Sequence, residues 1–365
     1  MKRMSSGINL LRALLKGLAL FVVFEFAFVS SNINFGAINI YGGLGLLRER
    51  FPISTHAPED AALDVGNLEA MFASHIVSQP KGANEFRVFV LGDSAVWGIG
   101  LTPAQTLPGQ MEALGMKCGN KNVDVYNLSF PRSSATKDLM ILDKAMQYKP
   151  DMIVWLITWY TLMPKTRTDH TIIQQNPEEF YKLGRQFDFL PKGYQPPTLT
   201  DKVYDQNRAL FRVLRYQLYS AINLSTGLDQ IPGPPEVLPK ELSSDPTFEG
   251  LRPPVLKQSQ VSLDQVKDFY TLAGNTPVLW VNEPMLVLSG AKNSDIRYND
   301  YYPRWVYDQY RQYVAQDAAQ NNWNYLDLWN AFPSGYYTDT PLHLVPEGEH
   351  QLAEMLAPSI QKACP

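Results

Sequence analysis

The apolar positions of this 365-residue chain fall into two regimes. From Leu10 to Ser30 they run almost unbroken, over roughly the 20 residues a helix needs to cross a bilayer. Beyond residue 84 they come in short runs between amphipathic stretches. Phe86–Leu91 (FRVFVL), Val123–Leu128, Met152–Ile157 (MIVWLI), Pro277–Val281 and Asn324–Leu328 read as buried strands, rich in β-branched and aromatic residues. Thr106–Leu114, Ser134–Tyr148, Tyr302–Asn321 and Glu347–Lys362 carry helical patterns. In Ser134–Tyr148 the apolar positions are Leu139, Ile141, Leu142, Ala145 and Met146, and Lys149-Pro150 ends the helix. Strands alternating with helices predict parallel crossovers, hence an α/β sandwich.

Residues 164–275 break this rhythm with many Pro, Gly and polar residues, including PKGYQPP and IPGPPEVLP. A helical pattern from Tyr204 to Ile222 survives there, but Arg208, Arg212 and Arg215 deny it a membrane span. The stretch reads as an insertion, either a lid or partner surface or a long structured loop region without a direct role. The chain thus divides into a cytoplasmic N-terminus and transmembrane anchor (1–31), a juxtamembrane segment (32–84) and a catalytic domain (85–365) with an insertion at about 164–275.

Lys2, Arg3, Arg12 and Lys16 flank the start of the apolar run, which places the N-terminus in the cytoplasm and the rest outside, as a single-pass protein of the cell membrane. A cleaved signal peptide and a buried soluble helix are the competing readings, although no clear cleavage site follows. Glu25 is out of place, because a carboxylate near mid-bilayer costs about 2.5–3.5 kcal/mol. It needs a proton, a partner or a place near the far interface. Ile33–Leu47 is apolar but too broken by glycine for a second span, and reads as an interfacial or packing segment. Cys118 and Cys364 are the only cysteines. In an exported domain they are expected to pair, the alternative being two buried thiols. The net charge of −4 gives no reason to invoke nucleic acid.

The sharpest chemical feature is Gly92-Asp93-Ser94, directly after a strand. A serine at the carboxyl end of a parallel strand stands at the functional edge of such sheets, but its hydroxyl needs a base. Near the C-terminus, Asp339 and His343 share a loop ahead of the last helix. His343 would take the proton of Ser94, and Asp339 would orient the imidazole. The other four histidines fit less well: His56 lies close to the anchor, His75 in a helical run, His170 in the insertion and His350 inside the last helix. No H-E-x-x-H, Walker A or dinucleotide glycine motif occurs, so no metal or other cofactor is expected.

Gly92-Asp93-Ser94 near the start of the domain and the Asp/His block near its end resemble the SGNH (GDSL-type) hydrolase family. The resemblance covers roughly 85–163 and 276–362. It implies a three-layer α/β/α sandwich around a central parallel sheet, and a Ser-His-Asp triad acting on acyl esters. The last block has one extra residue between Asp339 and His343. The second block resembles Asn127-Leu128-Ser129, with Ser129 where the family has Gly; its backbone N–H would still serve as an oxyanion donor beside that of Ser94. The third block reads Thr158-Trp159-Tyr160-Thr161 and lacks the usual Asn, a loss of about 10²–10³ in rate unless replaced. Thr158, Tyr160 or Asn282 are the candidate replacements. Asp93, Asn127 and Tyr160 are candidate substrate-binding residues. Asn127, Ser129 and Asn282 each also read as ordinary loop residues. Tyr298–Trp305 (YNDYYPRW) reads as a helix start packed on the core, or as a sugar-stacking surface.

An anchored SGNH-like domain is similar in plan to extracytoplasmic proteins that transfer acyl groups to surface polysaccharides beside a membrane-bound O-acyltransferase. The plan implies an esterase or O-acyltransferase working through an acyl-serine on envelope polysaccharide, with such an acyltransferase as possible partner. A lipase-like esterase at the membrane surface and a non-catalytic scaffold or glycan-binding subunit are the alternatives.

Overall fold

The computed structural model describes residues 10–31, 35–53, 66–227, 229–230 and 241–364. Lys2, Arg3, His56 and the proline-rich stretch 231–239 lie outside the described residues. Six strands form one sheet: β1 (Glu85–Leu91), β2 (Lys117–Cys118), β3 (Lys121–Asn127), β4 (Met152–Ile157), β5 (Val278–Asn282) and β6 (Asn324–Asp327), in the order β2-β3-β1-β4-β5-β6. All neighbours are parallel except the short β2, which pairs antiparallel with β3 at the edge.

The central strands are apolar on both faces because helices cover both. The helices are α1 (Leu10–Ser30), α2 (Ile40–Gly43), α3 (Leu68–Ser74), α4 (Ser94–Trp97), α5 (Leu107–Ala113), α6 (Ala135–Ala145), α7 (Thr171–Gln175), α8 (Pro177–Gln186), α9 (Leu199–Thr226), α10 (Leu263–Ala273), α11 (Arg304–Gln320) and α12 (Pro346–Lys362). Phe89, Leu91, Trp155 and Trp280 face a core shared with α3, α6, α10 and α11. Val88, Val90, Val154 and Val281 alternate with them and face the core of α5 and α12. This is the three-layer α/β/α sandwich. Cys118 on β2 and Cys364 after α12 form a disulfide across 246 residues, so the expected pairing is present.

Two boundaries differ from the sequence reading. Tyr41, Phe51, Met71 and Phe72 are fully buried in the same core as Phe89 and Trp155, so the described parts of 32–84 are built into the sandwich. Arg50 adds to this, pairing as a parallel bridge with Asn127. The second difference is α10, inside the stretch read as an insertion. It packs on α6 with Val266, Phe269 and Ala273 inward, and is the crossover helix between β4 and β5. The Trp155 ring stacks on Phe269 at 3.9 Å.

α1 is long and apolar enough to cross a membrane, and almost none of it is buried. It packs along part of α9, which is longer than the predicted Tyr204–Ile222.

Candidate active site

β1 is the strand at which the sheet's winding reverses: its neighbours are β3 on one side and β4 on the other. Loops leaving such a switch point open a crevice at the carboxyl edge. Gly92 makes the exit. A Cβ there would sit 2.5 Å from Val96 Cγ2 and 3.2 Å from the Leu156 carbonyl, so no larger residue fits. Asp93 caps α4, accepting from the Ala95 N–H at 2.9 Å, and its other oxygen accepts from the Ser133 hydroxyl. That leaves Ser94 as the first helical residue, half-buried at the edge.

The base reaches it across 249 residues. His343 Nε2 lies 2.9 Å from Ser94 Oγ, and its Nδ1 lies 2.8 Å from Asp339 Oδ1. The carboxylate selects the Nδ1–H tautomer, so Nε2 accepts from the hydroxyl. The extra residue in the block is absorbed by a closed loop. The Thr338 N–H donates to the His343 carbonyl, Tyr337 pairs with Leu344, and the His343 N–H donates to Thr340 Oγ1. Burial pushes the Asp339 carboxyl up, but the hydrogen bond and charge of His343, with the Thr338 hydroxyl, outweigh it. The carboxyl sits below the usual aspartate range and stays ionised.

The remaining sequence candidates are placed less directly. Asn127 Nδ2 donates to the Val96 carbonyl, and its Oδ1 accepts from the Ser129 N–H at 3.2 Å and the Ser129 hydroxyl. The pair ties the β3 loop to the nucleophile helix, and the Ser129 amide points at Asn127. Asn282 is buried and bonded elsewhere: its amide donates to Asp327, and its oxygen accepts from Tyr307 and Tyr310. Thr158 is fully buried and donates to the Tyr302 hydroxyl at 2.8 Å. The expectation that Thr158 or Asn282 supplies an oxyanion donor is therefore corrected, because β5 turns Asn282 into the α11 layer. Tyr160 donates to Glu249 Oε1 at 2.6 Å, under the Lys165–Glu249 ion pair. Its ring meets Tyr301 edge-on, 6.0 Å between centroids. Burial raises the Tyr301 phenol, and the charges of Asp93 and Asp339 raise it further.

Three residues escaped the sequence reading. Ser133 holds Asp93. Lys137, fully buried on α6, donates to the carbonyls of Gly92 (2.7 Å) and Phe130 (2.8 Å) and pairs with Asp138 at 3.0 Å. It clamps the two loops that flank Ser94, a role no local pattern announces, since Asp138, Asp143 and Lys144 share its helix. Glu283, just past β5, is fully buried with Oε1 unpartnered, and burial holds its carboxyl well above the usual range. It shares a cavity of about 10 Å³, the size of one water, with Glu349, Ala95 and Leu342. His75 and His170 are structural: burial lowers them to about 4 and about 3, and their rings bond backbone groups. His350 bonds Gln110 on the outer face of α12.

No protein-family model matches the chain, and no curated protein matches it by sequence. Among solved structures it is similar to a lipase/acylhydrolase from Enterococcus faecalis, at 12% identity over 76% of this chain and 95% of that one, with a TM-score of 0.36. It is also similar to a carbohydrate acetylesterase family member from Sinorhizobium meliloti, at 12% identity over 76% and 98%, with a TM-score of 0.34.

Proposed function

We propose that this chain is a membrane-anchored, extracytoplasmic serine esterase or O-acyltransferase acting on acyl groups of cell-envelope polysaccharide. The observation that carries the chemistry is the continuous Ser94–His343–Asp339 chain of hydrogen bonds, at 2.9 and 2.8 Å. Ser94 Oγ attacks the acyl carbonyl while its proton passes to His343 Nε2. The tetrahedral intermediate collapses, the alkoxide leaves with that proton, and the acyl group stays on Ser94. An acceptor hydroxyl then gives its proton to His343 and takes the acyl group, and His343 returns a proton to the departing Ser94 Oγ. Water as acceptor makes an esterase, and a sugar hydroxyl makes a transferase. Oxyanion stabilisation leans on the Ser94 backbone N–H at the start of α4, because the Ser129 amide is turned toward Asn127. The edge-on Tyr160 and Tyr301 rings, with the Lys165–Glu249 pair beside them, offer an aromatic and polar surface suited to a sugar. The apolar α1 supports the anchor.

The commitment of Asn282, Thr158 and Ser129 favours a second reading, in which the fold is kept and turnover is lost. A serine-reactive fluorophosphonate separates the two. Labelling of the folded chain that vanishes in Ser94→Ala and falls in His343→Ala supports the enzyme; no labelling supports the scaffold. Unlabelled enzyme offered acetylated polysaccharide then reports hydrolysis as free acetate and transfer as acetyl moved to a second glycan.

A further inference from the structure

Among the described residues, α9 leaves an apolar stripe exposed. Tyr204, Phe211, Leu214, Leu218 and Ile222 are 61%, 71%, 53%, 72% and 47% exposed. At about 100° per residue they fall within an arc of roughly 80°. Val213, Tyr216 and Ser220 lie on the far side, buried against the domain. Gln217 fixes that docking, accepting from the Ile40 N–H at 2.8 Å and donating to the Ile38 carbonyl. Arg208, Arg212 and Arg215 form one flank of the stripe. Arg208 rests on the ring of Tyr204 at 5.1 Å and Arg215 on that of Tyr219 at 5.6 Å. The other flank is where α1 packs.

We propose that α9 is a membrane-interface helix, with the lipid surface as the occupant of this stripe. The proposal rests on the reading that α1 crosses a bilayer. Three observations favour lipid over a second protein. First, the stripe's helix packs against α1, whose Leu14, Leu18 and Phe21 are each more than half exposed. Second, the height fits. Asn207 of α9 donates to Glu25 at 2.9 Å, and Gln206 donates to the Phe28 carbonyl at 3.4 Å. Glu25 lies five residues before the end of α1, hence about 7–8 Å below it at 1.5 Å per residue. Interfacial helices sink about 5–10 Å into the headgroup boundary. Third, a row of arginines beside an apolar stripe matches phosphate headgroups, and paired Tyr and Arg side chains suit the interface. The same contact answers the problem of Glu25, whose carboxylate meets an amide close to the interface instead of hydrocarbon.

The test uses the full chain reconstituted in vesicles of brominated phosphatidylcholine, with and without phosphatidylglycerol. The two native cysteines are in the disulfide, so single cysteines introduced by Phe211→Cys and Leu218→Cys take an environment-sensitive fluorophore. Val22→Cys on α1 and Glu354→Cys on α12 are the controls. The proposal expects positions 211 and 218 to be quenched comparably to position 22, and about threefold or more above position 354. Quenching at 22 with 211 and 218 at the level of 354 overturns the α9 assignment and leaves the anchor standing. No quenching at any position overturns both. Energy transfer between labelled copies at 218, without lipid quenching, overturns it in favour of a self-association face.

Discussion

Lys137 is the most exposing place to perturb this site, because one buried ammonium holds both loops around the nucleophile. Lys137→Met keeps most of the stem's volume and deletes the charge. The Phe130 carbonyl loses its buried partner, at about 1–3 kcal/mol, while the Gly92 carbonyl keeps the Phe130 N–H at 3.2 Å and loses about 0.5–1.5 kcal/mol. Asp138 loses its cation, but burial already raises that carboxyl to about 6 and the Trp155 indole N–H donates to it at 3.0 Å. It can take up a proton in place of standing as a bare buried charge. The sum is therefore about 2–5 kcal/mol, toward the lower end of what breaking a buried pair plus two hydrogen bonds implies. In a domain this size that lowers the thermal midpoint by roughly 10 °C. Activity should fall beyond the loss of folded protein, since a displacement of about 1 Å costs around 10² in rate. Fluorophosphonate labelling, measured well below the variant's own midpoint, isolates this positioning effect. A variant within about 1 kcal/mol of the parent that labels at the parent's rate would refute the clamp.

Three further outcomes follow from the same geometry. Asp339→Asn leaves the fold intact but donates to Nδ1, favouring the wrong tautomer, so labelling should slow by about 10⁴-fold; an unchanged rate removes Asp339 from the triad. The depressed carboxyl of Asp339 contributes stability above the ordinary aspartate pKa and loses it as pH falls through the folded value, so acid unfolding of the Asn variant should begin from a lower baseline and be flatter in that range. Glu349 has the opposite sign. Burial raises its carboxyl well above the usual range, so its contribution is complete below the ordinary glutamate pKa and is lost as pH rises through the folded one. Glu349→Gln should raise the thermal midpoint at pH 8 and leave it nearly unchanged at pH 4; a drop at both pH values contradicts that assignment. Cys364→Ser opens a loop of 246 residues and should cost about 2–5 kcal/mol, read as a lower denaturation midpoint that matches the reduced parent.

The strands were legible because each is buried on both faces and so appears as an uninterrupted apolar run; Met152–Ile157 is a strand from end to end, as read. The Ser94–His343 pairing was legible for a different reason: of five histidines, His343 shares with Asp339 a loop just ahead of the last helix. Lys137 and Ser133 were not, since their roles arise from contacts with loops that no local pattern announces. Residues 35–53 were hidden too. Tyr41 and Phe51 are fully buried, yet glycines and charges between them erase any period. α10 was obscured by the proline-rich chain before it, although Val266, Phe269 and Ala273 keep helical spacing. Asn282 misled because a strand's carboxyl end displays residues toward the crevice in general, while here three neighbours draw its amide into the α11 layer.

Arg50 carries a last consequence. Its guanidinium lies 3.8 Å from the centre of the Trp97 ring and donates to the carbonyls of Trp97, Gly98 and Leu101, immediately downstream of the nucleophile helix. Residues 35–53 are thus bolted to the turn that carries Ser94. With α1 seated as proposed, the reactive serine works at a set altitude over the bilayer, and only acyl esters presented at that altitude come within its reach.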